Sequence, residues 1–503
     1  MPSGGEHLLL MQGIVKAFSG TRALDGVDFD VGPGEVHALI GENGAGKSTL
    51  MNVLAGRFDD YEGSIVFDGR SVRITNPRQA RRMGIGVIYQ DLSVLPNFTV
   101  AENIMLGEEK TKSWPPRLDR AATRAGAQQV IDYLGFELDP DAPVASLSTA
   151  QQCLVEIAAA VRRNVKLLVF DEPTAALGDR DVDRLFRVID DLRSRGLGMV
   201  YISHRLAELH GIADRVTVLR DGKVVGTRPL AECRMADLSR MMLGHELSEV
   251  FPEKSNHPGD VLLRVDNLSR PGAFEGISFE LHAGEILGIA GLVGSGRSEI
   301  ARAIVGADRS AGAIVLRGKT LARRSPGVCR SLGMGMLPES RKTQGNITGR
   351  PVRENLTVGV LERLSTALGF LNPRNVTASA RRSIDRVGVD PPNPEMEIQR
   401  LSGGNQQKVI VGRWLAAEPG VLIFDEPTQG IDVGTKAQIY RLIVELAAQG
   451  RGIILISSEL IEIARLADRI LVVRDGRLAG EMPGGDVDVD ALFAQCAMRE
   501  QPA

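Results

Sequence analysis

Residues 36–50 read VHALIGENGAGKSTL and decide the fold of the first half of the chain. Within this stretch, Gly41–Ser48 fits the pattern GxxxxGK[ST], a glycine-rich loop that binds phosphate. The apolar run Val36–Ile40 predicts a buried strand before the loop, and a helix is predicted to begin near Ser48. Glycines let backbone N–H groups wrap around phosphate oxygens, and a helix N-terminus adds the positive end of a dipole. The stretch therefore predicts a nucleotide phosphate site between a strand and a helix.

Individual residues of this loop have distinct expected roles. Lys47 is predicted to reach the β- and γ-phosphates of ATP, and the Ser48 hydroxyl is predicted to bind Mg²⁺. A purely structural glycine turn is the alternative, but the flanking strand and helix favour a phosphate loop. The predicted ATP-binding loop consists of Gly41, Glu42, Asn43, Gly44, Ala45, Gly46, Lys47, Ser48 and Thr49.

Two carboxylates follow a second buried run. Lys166–Phe170 reads KLLVF, which predicts a strand, and Asp171 and Glu172 come directly after it. Asp171 is expected to hold Mg²⁺ through water, and Glu172 to orient or deprotonate the attacking water. A solvated Asp-Glu turn is the alternative for this pair alone. Its recurrence as Asp425–Glu426 favours the catalytic interpretation.

The chain contains two copies of one plan. Residues 32–49, GPGEVHALIGENGAGKST, are matched 250 residues later by HAGEILGIAGLVGSGRSE at 282–299. We therefore predict two domains, residues 1–245 and 261–503, joined by a linker at 246–260. Alternating strands and helices predict an α/β fold for both. Each is expected to contain a mixed sheet core and a helical subdomain, at residues 98–162 and 350–415.

Composition limits the classes of function. The 503 residues contain 60 Lys and Arg against 63 Asp and Glu, a net charge of −3, so a broad nucleic-acid-binding surface is not expected. Aromatic residues make up 4%, too few for stacking along a nucleic-acid strand. No apolar run reaches the roughly 18 residues that a membrane-spanning helix needs. The N-terminal residues do not predict an export signal. The four cysteines lie far apart and form no CxxC pair, which fits a reducing cytosol.

Together with the phosphate loop and acidic pair, further motifs resemble the ATP-binding cassette family. Leu401–Gln406 reads LSGGNQ, which is similar to the family's signature sequence. By this resemblance Gln90 is the Q-loop glutamine and a Mg²⁺ ligand, His204 is the switch histidine, and Phe18 stacks on adenine. The resemblance implies that this chain folds as two tandem P-loop NTPase domains. The resemblance also implies that Ser402, Gly403 and Gly404 close over the γ-phosphate of a nucleotide held by an opposing cassette.

More narrowly, the chain resembles the sugar-importer subfamily with two fused cassettes, the ribose, galactose and xylose type. The segments that carry this resemblance are LSGGNQQKV at 401–409, DEPTQGIDVG at 425–434, PESRK at 338–342 and SSEL at 457–460. It implies an ATP-hydrolysing energy-coupling subunit on the cytoplasmic face of the cell membrane. The implied partners are integral-membrane permease subunits, expected to form a dimer, and an extracytoplasmic solute-binding protein. Leu92–Thr99 is expected to contact the permease, with subdomain core as the alternative.

The two predicted sites differ in chemistry. In the second half, Arg297 replaces the loop lysine, Glu339 replaces the Q-loop glutamine and Ser458 replaces the switch histidine. In the first half, the signature reads STAQ at 148–151, where two glycines are lost. If the halves face each other head to tail, the first site is complete and the second collects every departure. The second, degenerate ATP site comprises Gly291, Gly294, Gly296, Arg297, Ser298, Asp425, Glu426 and Ser148.

We therefore expect one site to hydrolyse ATP, with Lys47, Gln90, Glu172 and His204 as catalytic residues. The second site is expected to bind nucleotide with little or no turnover, and the alternative is that both sites work. Two other functions stay open: a soluble twin-cassette ATPase acting on ribosomes or DNA, and a catalytically silent nucleotide-dependent scaffold. The sequence leaves the sugar open among ribose, galactose, xylose, inositol and nucleosides. It also leaves open whether cassettes pair within one chain or between two.

Overall fold

The computed structural model describes residues 7–18, 20–42, 44–89, 92–112, 117–163, 165–174, 179–203, 206–209, 211–243, 251–254, 258–292, 294–485 and 487–497. Three predicted site residues, Asn43, Gln90 and His204, lie outside these ranges. The chain divides into two compact units, residues 1–244 and 245–503. We refer to them as the first and second cassette units and describe each by itself.

A six-stranded sheet forms the centre of the first unit, in the order β12-β11-β3-β10-β9-β6. All neighbouring pairs are parallel except β11 with β12, which is antiparallel. The strands are β3 (Val36–Ile40), β6 (Ile85–Ile88), β9 (Leu167–Asp171), β10 (Gly198–Ile202), β11 (Arg215–Arg220) and β12 (Lys223–Pro229). The predicted strands at 36–40 and 166–170 are thus confirmed to within one residue.

The first unit also contains a four-stranded antiparallel sheet that the sequence analysis did not predict. Its order is β2-β1-β4-β5, with β1 (Leu9–Phe18), β2 (Thr21–Val31), β4 (Glu62–Phe67) and β5 (Arg70–Val72). Register shifts between Met11 and Ala17 interrupt the pairing of β1 with β2. Because each shift moves the buried side chains to the next position, the period of two that identifies a strand is lost.

Helices cover the first unit, and those between residues 98 and 162 form the expected helical subdomain. They are α1 (Lys47–Leu54), α2 (Pro77–Met83), α3 (Val100–Ile104), α4 (Arg120–Leu134), α5 (Thr149–Val161), α6 (Asp179–Ser194), α7 (Leu206–Leu209) and α8 (Met235–Leu243). A short hairpin, β7 (Thr111–Lys112) with β8 (Arg117–Leu118), interrupts the subdomain between α3 and α4. Residues 98–162 are therefore mainly helical, as predicted.

The second unit repeats this plan. Its six-stranded sheet has the order β18-β19-β20-β15-β21-β22, and its antiparallel sheet has the order β14-β13-β16-β17. The strands are β13 (Val261–Arg270), β14 (Phe274–His282), β15 (Ile286–Ala290), β16 (Ala311–Leu316), β17 (Lys319–Thr320), β18 (Met334–Leu337), β19 (Val421–Asp425), β20 (Gly452–Ile456), β21 (Arg469–Arg474) and β22 (Arg477–Pro483). The helices are α9 (Arg297–Ile304), α10 (Pro326–Ser331), α11 (Val352–Thr357), α12 (Leu361–Leu364), α13 (Pro373–Val387), α14 (Gly403–Ala417), α15 (Val433–Ala448), α16 (Leu460–Leu466) and α17 (Val489–Ala497).

Part of the predicted linker packs against the second unit. The ring of Phe251 stacks on that of Tyr440, with centroids 4.8 Å apart and planes 12° apart. The Lys254 ammonium donates to the carbonyl oxygens of Leu466 and Ala467, at 3.1 and 2.6 Å. Residues 251–254 thus have fixed contacts with the unit that follows them.

Burial on both faces explains the apolar runs of the central strands. In β3, Val36, Ala38 and Ile40 pack into a core with the helices, whereas Leu39 packs into a second core with the antiparallel sheet. A strand covered on both sides carries mainly apolar side chains. The buried exception in β3, His37, is hydrogen-bonded through Nε2 to Thr217 Oγ1 at 2.8 Å. Among the described residues, no helix combines the length and apolar character needed to cross a bilayer.

We predict that Phe170→Ala will destabilise the first unit by about 3–5 kcal/mol, because Phe170 is fully buried in β9 and its loss leaves a cavity. Denaturant unfolding followed by a probe in the first unit would measure this change. Leu118→Ala, in the same unit, is the matched control, since this side chain is 58% exposed. Equal destabilisation by both substitutions would contradict the assigned burial.

Candidate nucleotide sites

Each glycine of the first phosphate loop has its own structural reason. Gly44 and Gly46 have φ angles of 88° and 104°, in the left-handed region that favours glycine. A Cβ at Gly46 would lie 2.6 Å from the carbonyl oxygen of Ala23, and one at Gly41 would clash with the carbonyl oxygen of Leu219. At Gly44 such a Cβ would meet no atom within 4 Å. Packing therefore fixes the two ends of the loop, while its middle borders open space.

Lys47 begins α1 and is 5% exposed. Its Nζ donates to the carbonyl oxygens of Gly41 and Glu42, at 2.6 and 2.9 Å. Burial lowers the pKa of Lys47, and the charges of Glu172 and Asp171 oppose this shift. The ammonium is thus held over the loop by backbone carbonyls and lies within electrostatic reach of the acidic pair.

Asp171 ends β9, on the sheet edge where the phosphate loop follows β3. Burial and the neighbouring charge of Glu172 raise the pKa of Asp171 to about 6, against the opposing effect of Lys47. The side chain of Ser48, in the first turn of α1, is exposed. A hydroxyl and a carboxylate are hard oxygen donors that suit Mg²⁺, and a cation here would relieve the repulsion between the two acids. These residues therefore fit a nucleotide-bound Mg²⁺.

The backbone turns sharply at both glutamates of the acidic pairs. Glu172 and Glu426 have φ angles of 50° and 48°, which L-residues adopt at a cost. Their N–H groups donate to the carbonyl oxygens of Ile202 and Ile456, at 3.1 and 2.9 Å. In both units this hydrogen bond joins the glutamate backbone to the adjacent strand, and it thereby fixes the point from which the glutamate side chain extends. The sequence analysis did not predict the turn.

A buried glutamate behind each acidic pair was also missed. In the first unit, the Thr174 hydroxyl donates to both carboxylate oxygens of Glu208, at 2.9 and 2.8 Å. In the second unit, the hydroxyls of Thr428 and Tyr440 donate to Glu462, each at 2.5 Å. The signal was present in the repeat, since both glutamates follow the motif threonine by the same 34 residues.

Phe18, the expected adenine-stacking residue, lies at the end of β1 and is 40% exposed. Its ring packs edge-on against Phe58, with centroids 5.1 Å apart, and the Lys16 ammonium lies 4.8 Å from its centroid. One face of an exposed aromatic supported in this way is suited to stacking on a base.

The second phosphate loop places its cation differently. Arg297 begins α9 and is 6% exposed. Its Nη1 donates to the carbonyl oxygen of Ser457 at 2.6 Å, and its Nη2 lies 4.0 Å from Glu426 Oε1. Lys47 bonds to its own loop, whereas Arg297 reaches across to the end of β20. The replacement of lysine by arginine therefore keeps the positive charge but changes the group that it contacts.

The acids of the second unit are bonded to protein hydroxyls. Ser298 donates to Asp425 Oδ1 at 2.9 Å, and Ser458 donates to Glu426 Oε2 at 3.1 Å. Burial, followed by the charges of Glu426 and Glu339, raises the pKa of Asp425 to about 8. The second acidic pair thus lies in a drier and more negative environment than the first.

The intact signature lies at the start of α14. Ser402 caps the helix by accepting from the N–H of Asn405 at 3.4 Å. A Cβ at Gly404 would lie 2.8 Å from Thr435 Oγ1, and one at Gly403 would lie 3.2 Å from the Arg341 guanidinium. Packing within the second unit therefore favours glycine at 404, whereas at 403 the end of the flexible Arg341 side chain would need to shift only slightly. This is a reason additional to the close phosphate approach that the sequence suggested.

The structure brings together the parts of each site that belong to one unit. Lys47, Asp171 and Glu172 lie together in the first unit, as Arg297, Ser298 and Glu426 do in the second. Gly291, Gly294 and Gly296 precede Arg297 as the matching loop. Ser402–Gly404 belongs to the second unit, and Ser148, which caps α5, belongs to the first. The pairing of each signature with an opposing phosphate loop stays a prediction.

Comparison with known proteins gives consistent matches. The family model described as "ABC transporter" matches residues 24–175 and 274–429. The ribose import ATP-binding protein RbsA 1 of Rubrobacter xylanophilus is 45% identical over 487 residues, 97% of each chain. RbsA 3 of Rhizobium meliloti is 46% identical, over 98% of this chain and 97% of that protein. A putative ribose/galactose/methyl galactoside import ATP-binding protein of Burkholderia lata is 44% identical, over 99% and 98%.

We predict that Asp171→Asn will raise the melting temperature of the first unit at pH 8 by roughly 2–4 °C, the effect of about 1 kcal/mol in a domain of this size. The folded-state pKa of about 6 exceeds the ordinary value of 3.8. Hence the protonated carboxyl is favourable at low pH, and this stability is lost as pH rises through 6. The difference should vanish near pH 4. Asp221→Asn, at an exposed turn, is the control and should show no such pH dependence.

Proposed function

The chain belongs to the ABC transporter family, and from this premise we propose that it is the ATP-hydrolysing energy-coupling subunit of a sugar importer. The observation that carries the proposal is the assembly of Lys47, Asp171 and Glu172 at one sheet edge, within a chain similar over its whole length to import ATP-binding proteins. This full-length similarity favours transport over action on ribosomes or DNA. The complete set of first-site residues disfavours a silent scaffold.

At the first site, ATP binds with its phosphates along Gly41–Thr49 and its adenine on Phe18. Lys47 leaves the loop carbonyls for the β- and γ-phosphates, where its charge stabilises the transition state. Ser48, Asp171 and Gln90 would hold Mg²⁺, which would neutralise phosphate charge. Glu172, fixed by its left-handed backbone, orients the attacking water, and His204 contacts the γ-phosphate.

An opposing cassette supplies Ser402, Gly403 and Gly404 to complete the site. Bound ATP joins the two surfaces, and hydrolysis removes the γ-phosphate that both contact. Closing and reopening is the two-state change that a permease converts into transport. The second site lacks the lysine, the switch histidine and an intact opposing signature, so it holds nucleotide with little turnover.

The permease contact is proposed for the first helical subdomain. Leu95 and Phe98, within the predicted segment 92–99, are 39% and 41% exposed, whereas Leu92 and Val94 pack against the core. Beside them, a groove of about 420 Å³ is lined by Val94, Leu106 and parts of β6 and α5. Exposed apolar side chains beside a groove are typical of a protein contact. The protein thus binds the cytoplasmic face of the membrane through permease subunits, which form a dimer and receive sugar from an extracytoplasmic binding protein.

The substrate class is tested by reconstitution. We expect proteoliposomes that contain the chain, its permease and its solute-binding protein to accumulate ribose with ATP hydrolysis. Galactose and xylose are the matched competing sugars, since relatives are named for galactosides as well as ribose. ATP-driven uptake of none of these monosaccharides would overturn sugar import.

We predict that Lys47→Ala will lower ATPase activity about 100-fold or more, because the group that stabilises transition-state charge is lost. Arg297→Ala should change activity by no more than about threefold, since the second site contributes little turnover. Steady-state phosphate release from the purified complex measures both. An equal loss in the two variants would show that both sites hydrolyse ATP and would overturn the asymmetry.

A further inference from the structure

Arg297 has a different environment from the lysine that it replaces. Its guanidinium spans from the start of α9 to the Ser457 carbonyl oxygen, 2.6 Å away, and faces Glu426 at 4.0 Å. The side chain is almost completely buried. A lysine has one nitrogen and cannot present two donors in a fixed fork.

Glu426 is held from two sides. Ser458 donates to its Oε2 at 3.1 Å, and Arg297 faces its Oε1. A general base must direct a free lone pair at the water that it deprotonates. The hydroxyl at 3.1 Å and the guanidinium at 4.0 Å constrain the orientation of the carboxylate, and with it the direction in which its remaining lone pairs can meet a water. The matching residues of the first unit are a lysine bonded to its own loop and a histidine in place of Ser458.

We propose that Arg297 is an inhibitory positioning residue that holds Glu426 out of catalysis and ties the second phosphate loop to the end of β20. This inference rests on the proposed asymmetry of the two sites and gives it a cause. In this view Arg297 is not a poorer substitute for the phosphate-binding lysine. It is an internal cation that occupies the glutamate, and Ser458 acts with it on the other oxygen.

The link that Arg297 makes between the second phosphate loop and the end of β20 is tested by hydrogen–deuterium exchange. The full chain is used in the absence of nucleotide, so no ATP hydrolysis is needed. Arg297→Lys should speed exchange at residues 457–459 about fivefold, as expected for the loss of one buried hydrogen bond. Residues 44–50 of the first loop should not change. Arg302→Lys is the matched control, because Arg302 lies on the same helix and pairs with Asp308 at the surface. Unchanged exchange at 457–459 in Arg297→Lys would show that Arg297 does not tie the second phosphate loop to the end of β20.

Whether replacing Arg297 lets Glu426 take part in catalysis is tested by measuring ATP hydrolysis in a variant whose first site is inactive. Glu172→Gln should abolish most ATPase activity, and adding Arg297→Lys should restore about tenfold over that residual rate. A third substitution, Glu426→Gln, should remove the gain, which a purely structural effect of the lysine would not predict. Ser458→Ala, in place of Arg297→Lys, should also give a gain that depends on Glu426.

The outcomes separate the two proposals. Wild-type turnover in Glu172→Gln would overturn the asymmetry of the sites, whatever Arg297 does. A silent Glu172→Gln variant that gains nothing from Arg297→Lys or from Ser458→Ala, in folded protein, would overturn the inhibitory role of Arg297 and leave the asymmetry intact.

Discussion

Parallel pairing of β3, β10 and β9 is the constraint on which the first site depends. The backbone hydrogen bonds between these strands bring their carboxyl ends to one edge of the sheet. The phosphate loop leaves β3 there, and Asp171 ends β9 at the same edge, although the two are more than 120 residues apart in sequence. The equivalent strands β15, β20 and β19 do the same in the second unit. Substitution of side chains at this edge leaves unchanged the strand pairing that brings the two segments together.

This separation of scaffold from chemistry accounts for the two unlike sites. Both units retain a glycine loop, an acidic pair and a left-handed glutamate bonded to the neighbouring strand. They differ in the side chains at the phosphate loop and around the glutamate of the acidic pair. The lysine of the first unit donates to carbonyls of its own loop, whereas the arginine of the second unit donates to the Ser457 carbonyl oxygen beyond the end of β20.

The extent to which the sequence predicted the structure follows from how local each signal is. Strands buried on both faces produce continuous apolar runs, so β3 and β9 were predicted within one residue. The antiparallel sheet was missed because the shifts near Met11 and Ile14 disrupt its alternation. The reach of Arg297 could not be predicted, because its partner lies 160 residues away and the choice between phosphate and protein depends on tertiary geometry. The glutamate turn also escaped prediction, since left-handed backbone at a non-glycine residue has no local sequence signal.

The left-handed turn at Glu426 has a consequence for how the duplicated halves diverged. Its conformation costs free energy, yet the second unit keeps it with a φ within a few degrees of that at Glu172. Drift would be expected to relax an expensive backbone that no longer served any purpose. The bond to Ile456 is part of how β19 joins β20, so strand pairing itself holds this backbone in place. The backbone of the second acidic pair is thus set by strand pairing, and the side chains around it are what distinguish it from the first.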